Sequence, residues 1–151
     1  MKKLNILLGI LFVVVISGCN SMIIKPELES GSYRLESYKA PITDIKMDQI
    51  SLACYQGRVA LWQQGYRLNP EQRMFLVKAQ YRHLYALVEM QANLAPDNRY
   101  RLNRAIEKDA IDIWIENEVT GERVTKAKTV LLKSMPANGL KISRRDCQPY
   151  I

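Results

Sequence analysis

Residues 69–94, NPEQRMFLVKAQYRHLYALVEMQANL, carry the clearest helix signals in the chain, and their reading decides the fold. Asn69 is a favoured helix N-cap. Pro70 suits the first helical position because its missing N–H would have no partner there, and Glu71 favours the positive end of the helix dipole. Met74, Val77, Tyr81, Leu84 and Val88 then recur at three- and four-residue steps, flanked by Phe75, Leu87, Met90 and Leu94. Pro96 ends the run. The pattern predicts one helix of about 25 residues, nearly 40 Å long at 1.5 Å per residue, as the spine of the domain.

Working outward, the upstream segment reads the same way. Thr43 or Asp44 can cap a helix in which Met47, Ile50, Cys54, Gly57 and Leu61 share a face, widened by Ala53, Val59 and Ala60 and stopped by Gly65. Downstream, Ala95-Pro96-Asp97-Asn98 is a turn, and a third helix starting on Asp97 carries Leu102, Ala105, Ile106, Ala110 and Ile113 inward. Residues 110–133 support two readings. Val124, Ala127, Leu131 and Met135 keep helical spacing, whereas Ile111, Ile113 and Ile115 alternate with polar residues and lead into a hairpin tip at Gly121. The expected fold is therefore mainly α, a four-helix bundle-like domain stapled by one disulfide. Its alternative is α+β with a C-terminal β-hairpin around Gly121. Leu140 to Ile151 reads as an extended tail.

The chain begins MKKLNILLGILFVVVISGC: Lys2 and Lys3, an apolar run from Leu4 to Ile16, then small residues before a cysteine. That is the layout of a secretory signal, and an apolar run spanning about 20 Å as a helix is short for a membrane crossing. Ile16-Ser17-Gly18-Cys19 resembles the lipobox of bacterial lipoproteins. The resemblance implies diacylglycerol on the Cys19 thiol, cleavage before it and an N-acyl chain such as palmitate; two or more chains anchor a protein stably. Asn20, rather than Asp, after the cysteine implies the outer membrane, facing the periplasm. Residues 1–18 are then a signal peptide, 19–42 a lipidated N-terminus and tether, and 43–151 a single globular domain. Within the tether, Ser32 to Tyr38 is expected as a short extended piece packing through Tyr33, Leu35 or Tyr38.

Lipidation consumes Cys19 and leaves Cys54 and Cys147, which an oxidising compartment favours as a disulfide over two buried thiols. The Cys-x-x-Cys spacing of a redox pair is absent. Catalytic signals are poor: His83 is the only histidine, it lies inside the apolar run, and no Gly-x-Ser-x-Gly turn, His-Glu-x-x-His pair or phosphate loop occurs. No enzyme, cofactor or metal site is expected. Asp109, Asp112 and Glu116 would line one helix face, where a solvated row is the simpler reading.

Charge is more informative. Of 22 basic and 15 acidic side chains, removal of Lys2 and Lys3 leaves a net charge of +5. Arg123, Lys126, Lys128, Lys133, Lys141, Arg144 and Arg145 fall in one stretch without an acid between Arg123 and Arg145. They are candidate contacts for an acidic envelope protein, and Trp62 and Tyr66, with Tyr55, are candidates for an aromatic groove. Membrane attachment through Cys19 and the absence of a catalytic signature point to a non-enzymatic binding or assembly factor. The layout is loosely similar to the helical pilotins that chaperone secretion-channel subunits; an immunity or inhibitor lipoprotein neutralising a toxin or lytic enzyme is the alternative.

Overall fold

Residues 69–94 fold as a β-hairpin. The computed structural model describes residues 28–40 and 48–151, so the lipobox, Cys19 and the proposed cap at Thr43 or Asp44 lie outside the described residues. Twelve strands follow one another: β1 Tyr33–Glu36, β2 Tyr38–Lys39, β3 Asp48–Leu52, β4 Cys54–Tyr55, β5 Arg58–Val59, β6 Gly65–Leu68, β7 Met74–Tyr81, β8 Leu84–Gln91, β9 Arg99–Glu107, β10 Ala110–Asn117, β11 Lys128–Leu131 and β12 Lys133–Ser134. The described residues contain no α-helix, only a 3₁₀ turn at Arg145–Cys147. Neither the four-helix bundle nor the α+β alternative holds.

The reason is visible along β7 and β8. Phe75, Val77 and Ala79 are buried while Leu76, Lys78 and Gln80 are only partly so, and Ala86, Val88 and Met90 are buried while Leu87, Glu89 and Gln91 are exposed. This is period-two burial, and the chain reverses between Tyr81 and Leu84. Arg82 adopts a left-handed φ of 56° there, a conformation glycine or asparagine usually supplies. Asn69 still accepts from the Glu71 N–H at 3.1 Å, as an N-cap would. The Gln72 N–H, however, donates to the Asn69 carbonyl, so the motif makes a single turn and then a strand.

The other expected helices resolve likewise. Ile50 and Cys54 lie on β3 and β4, Gly57 takes φ 66° in the β4–β5 turn, and Leu61 is exposed; Met47 is outside the described residues. Leu102 and Ile113 belong to the β9–β10 hairpin, closed at Lys108-Asp109. Gly121, with φ 72°, sits in the connection from β10 to β11, where its N–H donates to the Asn117 carbonyl.

The strands form two five-stranded sheets, in the orders β11-β10-β9-β1-β6 and β12-β8-β7-β3-β2, plus the small β4–β5 pair. All pairings are antiparallel except β1 with β9. The inner faces build one core from Tyr33, Leu35, Ile50, Phe75, Val77, Leu102, Ile111 and Ile113, all at most 1% exposed. Burying each of the aliphatic ones contributes on the order of 1.5–3 kcal/mol. β1 therefore lies inside the sheet, between β9 and β6, although it falls within the segment read as a tether.

Two segments pass from one sheet to the other, as corners of packed sheets do. β1 continues into β2 through buried Ser37, whose N–H donates to the Gln64 carbonyl and whose hydroxyl donates to the Gln63 carbonyl. β11 continues into β12 through Leu132, whose N–H donates to the Asp109 carbonyl. Arg104 ties the sheets from within, pairing with Asp48 and stacking over Tyr38 at 4.7 Å. The C-terminal tail straps the outside of the second sheet. Cys147 is disulfide-bonded to Cys54 with Cα atoms 5.3 Å apart, the pairing expected from the sequence, and Tyr150 joins them over Met74 and Leu76.

Candidate partner-binding seam

The two sheets meet edge to edge where β8 faces β11. β12 pairs with β8 only at Lys133↔Tyr85 and Ser134↔Leu84, extended by the Met135 N–H donating to the His83 carbonyl. Beyond Tyr85, β11 leaves β8 and pairs with β10 instead. A two-residue hairpin loop makes Tyr81 and Leu84 a hydrogen-bonded pair, and alternation carries that pattern to Ala79↔Ala86, Val77↔Val88 and Phe75↔Met90. The Ala92 N–H donating to the Arg73 carbonyl keeps the same phase. Leu87, Glu89 and Gln91 consequently turn their backbone groups toward β11.

Lys128 bridges the gap. Its Nζ donates to the Glu89 carbonyl at 2.6 Å, a side chain standing where a neighbouring strand's N–H would stand. On one side of this bridge is a cleft of ≈ 520 Å³ between Met90 to Asn93 and Val124, Thr125, Lys126 and Lys128. On the other is a cleft of ≈ 340 Å³ between Tyr85, Ala86 and Leu87 and Val130, Leu131 and Lys133. Leu87 and Leu131 remain 38% and 71% exposed beside it.

Of the basic candidates, Lys126, Lys128 and Lys133 line this seam, the first two at the larger cleft and Lys133 at the smaller. Arg123 does not join them: its guanidinium stacks 3.8 Å over the Trp114 ring, and its backbone bridges Glu116. Lys141, Arg144 and Arg145 are exposed on the C-terminal strap. The seven residues therefore occupy three places. Trp62 is 40% exposed between β5 and β6, with the Lys39 ammonium 5.0 Å over its ring. Tyr66 is 1% exposed, packed on Tyr55 and donating its hydroxyl to the Leu61 carbonyl, so it is core and cannot line a groove. Burial raises its pKa above the ordinary tyrosine value.

The carboxylate row also disperses. Asp109 lies in the β9–β10 turn, and Asp112 accepts from Thr129. Glu116 is 5% exposed under the loop after β10 and accepts from Arg101, from Asn103 at 2.9 Å and from the Trp114 indole at 2.9 Å. Burial pushes this carboxyl up, but those hydrogen bonds and the Arg101 charge outweigh burial and hold it below its usual range. Among the described residues no group of three His, Cys, Asp or Glu side chains is placed to hold a metal ion. His83 is exposed in the β7–β8 turn.

Sequence reasoning missed β8 as a strand whose backbone borders the two clefts. Its signal was the alternation Ala86-Val88-Met90 against Leu87-Glu89-Gln91, hidden by the coincident helical spacing. Compared with known proteins, the chain matches no family model, no curated protein and no solved structure.

Proposed function

We propose that this protein is a lipid-anchored, non-enzymatic binding module of the bacterial envelope, held at the outer membrane through Cys19 and recruiting an acidic protein partner in the periplasm. The observation that carries the reading is the placement of Lys126, Lys128 and Lys133 along the two clefts between β8 and the β11–β12 strand. An assembly role now rests on this basic seam and on the anchor; the helical layout that resembled pilotins is gone. Exposed cations at a cleft raise the encounter rate with an anionic surface and set its orientation.

The test is capture from detergent-solubilised envelopes with the wild type, Cys19→Ala and the triple variant Lys126→Glu/Lys128→Glu/Lys133→Glu. The wild type should retain one protein with an acidic region, released by salt. The triple variant should not retain it, and Cys19→Ala should leave the membrane fraction. Equal recovery by wild type and triple variant would sink the reading. A secreted toxin or lytic enzyme as the main prey would replace the assembly role with neutralisation.

A further inference from the structure

We infer that the free edge of β8 from Leu87 to Gln91 accepts an extended acidic segment of the partner as an added strand, and that Lys128 passes from the Glu89 carbonyl to a partner carboxylate as that strand docks. The inference rests on the binding role proposed above and names how the partner is held.

Three observations converge on it. The first is the treatment of sheet edges elsewhere in the molecule. β2 and β12 are two residues each, and on β6 the Tyr55 hydroxyl covers the Arg67 carbonyl at 2.7 Å. Short or covered edges are how proteins avoid unwanted strand pairing. β8 is eight residues long and β12 covers only its first two, so the stretch from Leu87 to Gln91 presents main-chain donors and acceptors that strand addition uses.

The second is the geometry of the gap. A strand added to β8 lies about 4.8 Å from it. Among the described residues the edges are joined at Tyr85↔Lys133, lie near each other along β11, are bridged at Glu89 by the Lys128 side chain, and open into the 520 Å³ cleft by Asn93. A peptide entering at the wide end meets Gln91 and Glu89 first, and one side-chain contact stands in its way. The inner residues Ala86, Val88 and Met90 are at most 4% exposed, so the core stays covered.

The third is charge. Lys128 rests on a neutral carbonyl, and among the described residues no carboxylate lies within salt-bridge distance of Lys126, Lys128 or Lys133. The Glu89 carboxylate is turned to the outer face, where the Tyr150 hydroxyl donates to it at 2.8 Å. An ammonium exchanging a neutral carbonyl for a carboxylate gains an acceptor of opposite charge. An acidic peptide supplies that carboxylate and the main-chain partners together.

The experiment uses the full lipidated protein in detergent, with a short peptide of alternating Val and Glu as probe. Its controls are the same peptide N-methylated at alternate amides, and a Val-Lys peptide. Amide hydrogen exchange is followed by mass spectrometry, and binding by fluorescence anisotropy. The Val-Glu peptide should slow exchange at Leu87–Gln91, and the N-methylated and Val-Lys peptides should not. Lys128→Met should weaken binding about tenfold and lower its salt dependence. Equal binding by the N-methylated peptide, protection confined to other segments, or no binding at millimolar peptide in low salt would each overturn strand addition. Capture of an acidic partner through Lys126, Lys128 and Lys133 without protection at Leu87–Gln91 would leave the binding role standing and remove this mode of it.

Discussion

Glu116 is a carboxylate that burial opposes and hydrogen bonds retain. Its lowered pKa has a definite sign for stability: the contribution is complete above the unfolded value, about 4.3, and is lost as pH falls through the lower folded value. Glu116→Gln should therefore cost about 1–3 kcal/mol near neutrality, because Arg101 loses its charged acceptor. In thermal melts across pH, the gap between variant and wild type should begin to narrow as pH falls below the unfolded value and go on closing through the lower folded one. A constant gap would assign the cost to shape and not to charge. Gly65 bears on a second buried ion pair. A Cβ built there would lie 2.7 Å from Arg34 Nε, but the neighbour is the end of a flexible side chain. Gly65→Ala should displace that guanidinium from Glu36 and, because the pair is largely buried, cost more than about 1 kcal/mol and up to about 3.

Among elements, the C-terminal strap depends most on a single bond. The Cys54–Cys147 bridge closes a sequence separation of 93 residues, worth about 4–5 kcal/mol by chain entropy. Cys54→Ser/Cys147→Ser should lower the melting temperature by several degrees or more and expose Met74 and Leu76, read as faster amide exchange in β7. Tyr150 makes the same strap sensitive to alkali. Burial, and then its hydrogen bond and charge interaction with Glu89, push the phenol up to about 12. Because the raised pKa favours the neutral form, this stabilisation is complete below about pH 10 and is lost as pH rises through the folded value. Ultraviolet titration should place Tyr150 among the late-ionising tyrosines, beside buried Tyr33 and Tyr66, and Tyr150→Phe should remove an alkaline step in strap docking without removing the other two late ionisations.

For the whole molecule, the distribution of charge separates a working surface from a scaffold. Reversing Lys126, Lys128 and Lys133 to Glu takes the chain beyond residue 18 from +5 to −1. All three side chains are exposed, so stability should change by less than about 1 kcal/mol. Partner binding should fall and lose most of its salt dependence, since exposed charges are screened beyond roughly 8 Å at physiological ionic strength. Unchanged binding at low and high salt would return these lysines to a plain solvated surface.

The chain's local chemistry made some features legible. Two cysteines beyond Cys19 named the disulfide, Pro96-Asp97 named a turn that is present with Asp97 at φ 59°, and Gly121 named a reversal that needs a positive φ. Ile111, Ile113 and Ile115 already alternated as the strand they form. Each of these depends on residues close in sequence or on a choice with one partner.

Residues 69–94 were different, because Val77 and Val88 satisfy both a helical stripe and an alternating one, and Ala, Leu, Met, Gln and Glu favour helix in isolation. The Arg82-His83 reversal lacks the glycine or asparagine that announces a hairpin. Only pairing with β3, burial against the opposite sheet and the strap over Met74 and Leu76 decide for strands, and all three bring together residues distant along the chain. The seam follows from the same cause. The edge of β8 left unpaired among the described residues is a property of which strand stops short beside it: β12 begins only at Lys133 because residues 128–131 are held by β10, an arrangement that exists only once the sheets have formed.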